Sequence, residues 1–309
     1  MAWGRETAND RMISLLTDFG TADGYVGAMK GVILGLNREA VLVDITHDVA
    51  PQDVNGGAFV LHTVHRYFPS GSIHLAVVDP EVGTDRAAVI LDTGRAIFVA
   101  PDNGLLSYVL AEGWGDAETL GRGERTSFAV ADGSAGSMAG LRPVPVPEGW
   151  RAVRIAESRY WLPNPSSTFH GRDIFAPVAG YLSLGQPLES FGPPMESVLA
   201  FAIPRPSRLP CGELLGEVIH VDRFGNLITN LRAEDLPAGT FATEIAGRRI
   251  EWPSRTYAGG RGLVALVGSS SYLEIALPGG SARSELGAGV GAPVRVIPGA
   301  SQTRVPPVV

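Results

Sequence analysis

The chain has 309 residues, which is enough for two domains of the usual ~100–200 residues. Its hydrophobic fraction of 45%, charged fraction of 18% and mean hydropathy of +0.12 are typical of a globular protein that folds over most of its length. The net charge of −7 comes without a basic stretch, which argues against a nucleic-acid-binding protein, and no apolar run approaches the ~18 residues of a membrane span.

Cysteine usage limits the chemistry further. Cys211 is the only cysteine, so the chain can form neither an internal disulfide nor a cluster of thiolate metal ligands. The first residues are polar and lack the apolar core of a signal peptide. We therefore expect a cytoplasmic protein that contacts neither membranes nor nucleic acids.

Predicted strands alternate with predicted helices in the first half of the chain. Apolar residues at helical spacing predict helices over 24–36 and 53–67, and a further helix over 175–184. Short apolar runs predict the strands, which are 12–16, 40–45, 72–78, 87–92 and 96–100. Because strands that alternate with helices usually form a parallel sheet, we expect an α/β domain with a largely parallel sheet over residues 12–200.

Two segments interrupt this pattern. Residues 115–149 are rich in Gly, Ala, Ser and Pro, and we interpret them as an insertion that is largely loop. The prolines between residues 193 and 210 are typical of a linker. Over residues 211–300, short β-like runs are separated by Gly and Pro, which predicts a smaller all-β, barrel-like domain.

Polar side chains follow the predicted strands, where α/β proteins commonly place their chemistry. Asp18 follows the first strand, and its carboxylate could bind the two hydroxyls of a ribose or could simply belong to a turn. Asp79 follows the strand that ends at Val78, and a hairpin-like return would bring the Arg86 guanidinium back to it. The alternative is that Asp79 only forms a turn with the proline and glycine that follow it.

The densest polar cluster is Phe169-His170-Gly171-Arg172-Asp173. His170 could carry a proton there, although a lone histidine is more often a structural residue. Arg172 and Asp173 could form nothing more than an ion pair at the start of a helix.

Two turns of the β half could bind a ligand. Asn226 offers both a donor and an acceptor and Phe224 offers a flat face, so the segment that begins at Asp222 could hold a purine or could be an ordinary hairpin turn. Ser269 and Ser270 lie in a loop rich in hydroxyls and amides, which suits a carboxylate ligand, although a solvated loop is more common.

Known cofactor fingerprints are missing from the sequence, which has no GxGxxG loop after a strand, no GxxxxGK[ST] loop and no HExxH helix. Only His62 and His65 have a spacing found in zinc sites, and we interpret them as part of a helix surface. Asn103 falls in a predicted turn and is expected to be available for polar contacts. The residues alone thus predict a two-domain protein with a ligand pocket between the domains.

Six strings, taken together and in chain order, resemble the S-adenosylmethionine hydroxide adenosyltransferase family, which is related to fluorinases and chlorinases. The strings are LTDFG (16–20), VDITH (43–47), VDP with VGT (78–84), APDNG (100–104), STFHGRDIFAP (167–177) and DRFGNLITN (222–230). Each string alone is weakly specific, whereas their order over nearly the whole chain is specific.

The resemblance implies the hydrolysis of S-adenosylmethionine to adenosine and methionine by attack of water or hydroxide at C5′, without a metal or another cofactor. It implies an N-terminal α/β domain, a C-terminal β-barrel and a homotrimer with active sites between subunits. Asp79, Arg86 and His170 would position the water, and Asp18 would bind the ribose. The remaining substrate-binding residues implied by the match are Phe169, Asp222, Phe224, Asn226, Ser269 and Ser270.

Three other functions stay open at this point. A halogenase would place chloride or fluoride where the hydrolase places water, and halogenases as a class lack the Asp-Arg-His set. A non-catalytic sensor of S-adenosylmethionine or adenosine would need Asp18, Phe224 and Asn226 but not that set. A metal phosphoesterase could use the scattered aspartates, and activity without added metal would exclude it.

Overall fold

A computed structural model of the protein describes residues 12–114, 140–251 and 262–299. The described residues up to Ile203 form one compact unit, and those from Pro204 onward form a second. None of the helices in these residues is long and apolar enough to cross a membrane.

The first unit is built on a seven-stranded sheet. Its strands, with the two strands of a smaller sheet, are β1 (Met12–Thr17), β2 (Val41–Thr46), β3 (Ile73–Val77), β4 (Ala88–Asp92), β5 (Ile97–Pro101), β6 (Arg142–Pro145), β7 (Arg151–Arg154), β8 (Pro194–Met195) and β9 (Ser197–Ala200). Its helices are α1 (Tyr25–Leu36), α2 (Val54–His65), α3 (Ser107–Gly113) and α4 (Ala176–Ser183).

The strand order of the main sheet is β2-β1-β3-β5-β4-β7-β8. The first four strands are parallel, whereas β4, β7 and β8 join the sheet in antiparallel pairs. The predicted α/β domain with a largely parallel sheet is therefore confirmed.

Alternation along β1 places helices on both faces of this sheet. Ile13 and Leu15 are fully buried in one cluster with Met29 of α1 and Val178 of α4. The neighbouring residue Leu16 points to the other face, where it lies against α2. The helical spacing of apolar residues therefore predicted the buried sides of the helices correctly, because those residues cover a sheet.

The described parts of the two irregular segments contain short strands. Within 115–149 the structure describes only residues 140–149, which include β6, and the interpretation of the whole segment as largely loop stays a prediction because residues 115–139 lie outside the described part. The segment 193–210 contains β8, β9 and a short strand β10 (Ser207–Arg208), so it is not simply a linker. Proline is compatible with β6 because, among the described residues, this strand pairs with β9 alone and so has an unpaired edge.

The second unit contains an eight-stranded antiparallel sheet, which confirms the predicted barrel-like β domain. Its strands after β10 are β11 (Leu214–Val221), β12 (Leu227–Arg232), β13 (Phe241–Ile245), β14 (Arg248–Glu251), β15 (Val264–Val267), β16 (Tyr272–Ala276) and β17 (Pro293–Pro298). A short helix, α5 (Ala282–Leu286), closes one side of its apolar core with the fully buried Ala282.

Candidate active site

Three aspartates follow three neighbouring parallel strands of the first unit. Asp18 follows β1, Asp79 comes two residues after β3, and Asp102 follows β5. Since β1, β3 and β5 are adjacent and parallel, these aspartates share the carboxyl edge of the sheet. This edge is where open α/β sheets bind their ligands.

Asp79 and Arg86 form a buried ion pair. Arg86 Nη2 donates to Asp79 Oδ2 at 2.5 Å, and each side chain is only 3% exposed. Arg86 Nη1 donates to the carbonyl oxygen of Ala87, and the guanidinium lies 5.5 Å from the centre of the Phe175 ring. The sequence-based expectation that the chain returns and brings Arg86 to Asp79 therefore holds in the structure.

The pair retains unused hydrogen-bonding capacity. Asp79 Oδ1 and Arg86 Nε are both buried, and neither finds a hydrogen-bond partner among the described residues. Burial raises the pKa of Asp79, while the neighbouring Arg86 opposes that shift. Buried polar atoms almost always have partners, so these two atoms are exceptions that require an explanation.

His170 lies on the loop that packs against the Asp79–Arg86 loop. It immediately precedes a π-helical turn, Gly171–Phe175, whose last residue is the ring that contacts Arg86. The two loops touch at Gly83, where a Cβ would overlap the carbonyl oxygen of Ser167. Burial lowers the pKa of His170, and the positive charge of Arg86 lowers it further. Both effects favour the neutral form of His170.

Asp18 is half-buried and partly engaged. Its Oδ2 accepts a hydrogen bond of 2.7 Å from the backbone N–H of Gln52, a residue held at a φ of 65°. Burial raises the pKa of Asp18, and this hydrogen bond counteracts the shift. A non-glycine residue at positive φ is uncommon and is found preferentially at functional sites. The contact fixes the carboxylate at the sheet edge.

Phe169 belongs to a cluster of three aromatic rings beside these loops. Its ring centroid lies 5.8 Å from that of Phe19 and 5.1 Å from that of Tyr25, both in edge-to-face geometry. Arg172 pairs with Asp173 at 2.6 Å, and Asp173 also accepts from the Ser166 N–H. These two charged residues thus have the structural role that the sequence left open.

Asp102 and Asn103 form hydrogen bonds to backbone groups near the site. Asn103 is 1% exposed and donates through Nδ2 to the carbonyl oxygen of Val78, the residue before Asp79. Asn103 therefore makes polar contacts, as expected, and they are with the backbone, since its Oδ1 also accepts from the Leu105 N–H. Asp102 accepts from the Leu199 N–H at 2.7 Å and lies in the electrostatic field of Arg86. Its buried carboxylate was not among the predicted site residues, although it follows a strand just as Asp79 does.

In the second unit, Asp222 organises the turn between β11 and β12. Its carboxylate accepts from the backbone N–H groups of Phe224 and Asn226, both at 2.9 Å, and from Asn226 Nδ2 at 2.8 Å. The Phe224 ring is left 76% exposed, whereas Asn226 is buried. Asp222 therefore shapes the turn, which presents a flat aromatic face at its tip.

Ser269 and Ser270 lie in the turn between β15 and β16, closed by a hydrogen bond from the Ser271 N–H to the Gly268 carbonyl oxygen. Strand pairing places this turn beside the end of β12, whereas the Asp222 turn precedes its start. The structure therefore does not bring the two serines together with Asp222. A ligand that contacts both turns of the same chain has to extend along β12.

His62 and His65 are not on a helix surface, so that interpretation is wrong. They are 9% and 7% exposed, and both rings face the carboxylate of Glu112 on α3. The sequence missed this contact because α3 was not predicted and its partners lie 47 or more residues away.

The chain is similar to proteins of known family over most of its length. The family model of the SAM hydroxide adenosyltransferase N-terminal domain matches residues 13–133 and 144–192, and that of the C-terminal domain matches residues 216–295. A protein of Thermus thermophilus named (R)-S-adenosyl-L-methionine hydrolase is 38% identical over 93% of this chain and 100% of its own length. A protein of Salinispora arenicola with the same name is 36% identical over 94% of this chain and 100% of its own length.

Halogenating relatives are more distant. A fluorinase of Actinoplanes sp. is 29% identical over 73% of this chain and 73% of its own length.

Among solved structures, an uncharacterized conserved protein from Thermotoga maritima superposes with a TM-score of 0.75, at 30% identity and over 93% of this chain and 100% of its own. The matched domains, the relatives and the order of the site motifs agree, and the chain belongs to the S-adenosylmethionine hydroxide adenosyltransferase family.

Proposed function

We propose that this protein hydrolyses S-adenosyl-L-methionine to adenosine and L-methionine. The observation that carries the proposal is the buried Asp79–Arg86 pair, which keeps Asp79 Oδ1 and Arg86 Nε available beside the loop of His170. A water molecule held there would have a carboxylate to accept its proton. The relatives named hydrolases support the same reaction.

The chemistry asks for positioning more than for acid catalysis. The oxygen of water forms a bond to C5′ while the C5′–S bond breaks, and the bonding electron pair neutralises the sulfonium to give the thioether of methionine. Asp79 accepts the proton of the water directly or through neutral His170. Arg86 keeps Asp79 oriented and ionised. Alignment of the water with the C5′–S bond can lower the activation free energy by up to about 7–11 kcal/mol.

The other residues of the site hold the substrate. We assign Asp18 to the ribose hydroxyls, because its carboxylate is fixed at the sheet edge by Gln52. We assign Phe169 and the second-unit residues to substrate contacts by their match to the family; the latter are Asp222, Phe224, Asn226, Ser269 and Ser270. The reaction needs no cofactor in this proposal.

A halogenase is the second candidate, and the site disfavours it. A buried carboxylate repels a halide ion, and Asp79 is 3% exposed beside the place where the nucleophile would lie. The lower identity and coverage of the fluorinase match favour the hydrolase as well. A non-catalytic sensor would have no use for the buried pair.

A homotrimer with shared active sites is part of the proposal because the family resemblance implies it. The expected partners are thus two further copies of the chain, with S-adenosylmethionine, adenosine and water in the site. A cytoplasmic location stays a prediction that rests on the single cysteine, Cys211.

The decisive experiment is product identification. Purified protein is incubated with S-adenosylmethionine in ¹⁸O-water, once without halide and once with added chloride. We expect adenosine that carries ¹⁸O at its 5′-hydroxyl in both cases. A main product of 5′-chloro-5′-deoxyadenosine would refute the hydrolase assignment, and the absence of any turnover would favour the sensor.

A further inference from the structure

Two histidines and one carboxylate meet outside the candidate active site. His62 and His65 are three residues apart on α2, so their rings lie on the same side of the helix. Glu112, near the end of α3, places Oε1 2.7 Å from His62 Nδ1 and 3.0 Å from His65 Nε2. The three ligand atoms lie within 4.8 Å of one another. We call this group the His62–His65–Glu112 cluster.

Packing holds both rings of the cluster in place. The His62 ring stacks on Tyr108, with centroids 5.4 Å apart and planes inclined by 26°. The His65 ring meets Phe98 edge-on at 5.3 Å. The carboxylate side is more open, because the Glu112 side chain is 39% exposed. The cluster thus has two fixed nitrogen donors and one adjustable oxygen donor that faces solvent.

The cluster combines one carboxylate with two imidazoles. A divalent ion bound there would have the Glu112 carboxylate as an anionic oxygen ligand, in addition to the nitrogen ligands of His62 and His65.

The donor set narrows the class of ion. Calcium and magnesium prefer oxygen ligands, whereas two imidazoles and one carboxylate form a known zinc ligand set. Ligands 2.0–2.1 Å from a tetrahedral zinc ion lie about 3.3 Å apart. The distances of 2.7 and 3.0 Å from Glu112 Oε1 to the two histidine nitrogens are slightly shorter, so the exposed Glu112 side chain would have to move outward by a few tenths of an ångström. The two histidine nitrogens lie within 4.8 Å of each other and would have to adopt the same spacing on binding.

We propose that the His62–His65–Glu112 cluster binds one zinc-like divalent ion, with His62 Nδ1, His65 Nε2 and a Glu112 oxygen as ligands and water in the remaining position. The ion ties the end of α2 to the end of α3. It takes no part in hydrolysis, because His62 lies about 13 Å along the helix axis from Asp53, which caps the end of α2 next to Gln52 and Asp18.

The test uses full-length protein without a polyhistidine tag, stripped of metal by a chelator. The stripped protein is titrated with ZnCl₂ by calorimetry, and the bound metal is counted by mass spectrometry after dialysis. We expect one zinc per chain and a higher melting temperature. Loading with Co²⁺ should give the intense visible d–d absorption of a low-coordinate site with nitrogen ligands.

Variants distinguish this cluster from adventitious binding. Glu112→Gln and His65→Gln should each weaken zinc binding more than about 100-fold, since the loss of mere outer-shell partners costs about 10–100-fold. Glu39→Gln makes the same change at an exposed glutamate and should bind zinc like the parent. All three variants should retain hydrolase activity.

The proposal is overturned if the parent binds no stoichiometric zinc, which would leave a purely hydrogen-bonded triad. It is also overturned if Glu112→Gln binds as tightly as Glu39→Gln. Because cobalt absorption and stoichiometry are measured on the parent, the result does not depend on how well the variants fold. Failure of the hydrolysis assay would leave the metal result unaffected.

Discussion

At the scale of single residues, the buried Asp79–Arg86 pair is where stability and chemistry compete. Removing one partner of a buried ion pair costs about 3–5 kcal/mol, because the remaining charge stays in a medium of low polarity. Two apolar residues of similar volume would do as well or better for stability alone. A function that needs a fixed, ionised carboxylate explains why the charges are there.

Asp79→Asn is the direct test of that function. The change keeps the size of the side chain and removes the charge that would accept a water proton, so turnover should fall about 10²–10⁴-fold. Single-turnover rates measure this, and circular dichroism shows whether the fold survives. Asp85→Asn, an exposed acid of the same loop, is the matched control and should leave the rate unchanged. Parental turnover by Asp79→Asn would remove it from the mechanism.

Asp18→Asn should act on binding instead. The ribose hydroxyls are present in the substrate and in the transition state alike. Loss of the hydrogen bonds from Asp18 to these hydroxyls therefore weakens the binding of both states equally. The expected cost is about 1.5–3 kcal/mol in the binding free energy, the range for hydrogen bonds to charged groups. Calorimetry with S-adenosylmethionine measures it. A variant that binds normally but turns over slowly would reverse the roles given to Asp18 and Asp79.

The pH profile tests His170. Burial and the charge of Arg86 lower its pKa below the ordinary value of 6.5, so the ring is neutral above that pH. If neutral His170 is needed, kcat/KM stays constant at neutral pH and falls only as the pH drops through the lowered pKa. His170→Gln should have a lower kcat/KM and lose the part of the acid limb that His170 causes, so that only the limb from protonation of Asp79 remains. An acid limb above pH 6.5 in the parent, or an unchanged limb in the variant, would contradict the assignment.

How far the sequence predicted these residues depends on their separation along the chain. Asp79 and Arg86 are seven residues apart, so a local turn sufficed to pair them. The partner of Asn103 is the Val78 carbonyl oxygen at the end of a neighbouring strand. The local sequence pattern predicts individual strands but does not specify which strands are neighbours in the sheet. The same holds for Glu112, whose histidine partners are on another helix.

At the scale of elements, the contact between the loops of Asp79 and His170 depends on Gly83. Its φ of 86° favours glycine, and a Cβ there would overlap the Ser167 carbonyl oxygen. The two segments in contact are short loops, and at Gly83 the backbone of each limits the position of the other. Most helices and strands of the first unit were predictable from periodicity, although α3 was not, and this loop contact was not predictable because it depends on backbone geometry.

Gly83→Ala should separate the two loops. The positive φ of the new alanine alone costs about 1–3 kcal/mol of folding free energy. In addition, its Cβ would overlap the Ser167 carbonyl oxygen, so the loop that carries His170 has to move. We expect a loss of kcat with little change in the melting temperature beyond that of the control. Gly94→Ala is the control because its φ is 78° and no atom lies near its Cβ position. Equal kcat values for both variants would show that the loop contact does not position His170.

At the scale of the whole molecule, the Phe224 ring has the highest exposed fraction among the large apolar side chains of the described residues. A phenyl ring with 76% of its surface in water gains little from its place at the tip of a turn. The Asp222 carboxylate accepts three hydrogen bonds that hold the turn in this conformation. The ring could contact a ligand or another copy of the chain, and the proposed trimer would provide the other copy.

Mixing two inactive variants tests the shared sites of that trimer. Asp79→Asn removes the proposed base, and Asn226→Ala removes a proposed ligand contact, so each homotrimer should be inactive or weakened. If every site combines these residues from two different copies, a random one-to-one mixture refolded together has about a quarter of its sites free of both changes. Activity should then rise to about that fraction of the parent value, and light scattering should give the mass of three chains. If each site instead takes both residues from one chain, every site carries one of the changes and the mixture stays as inactive as its components; an active monomer of 32.5 kDa would refute the assembly itself.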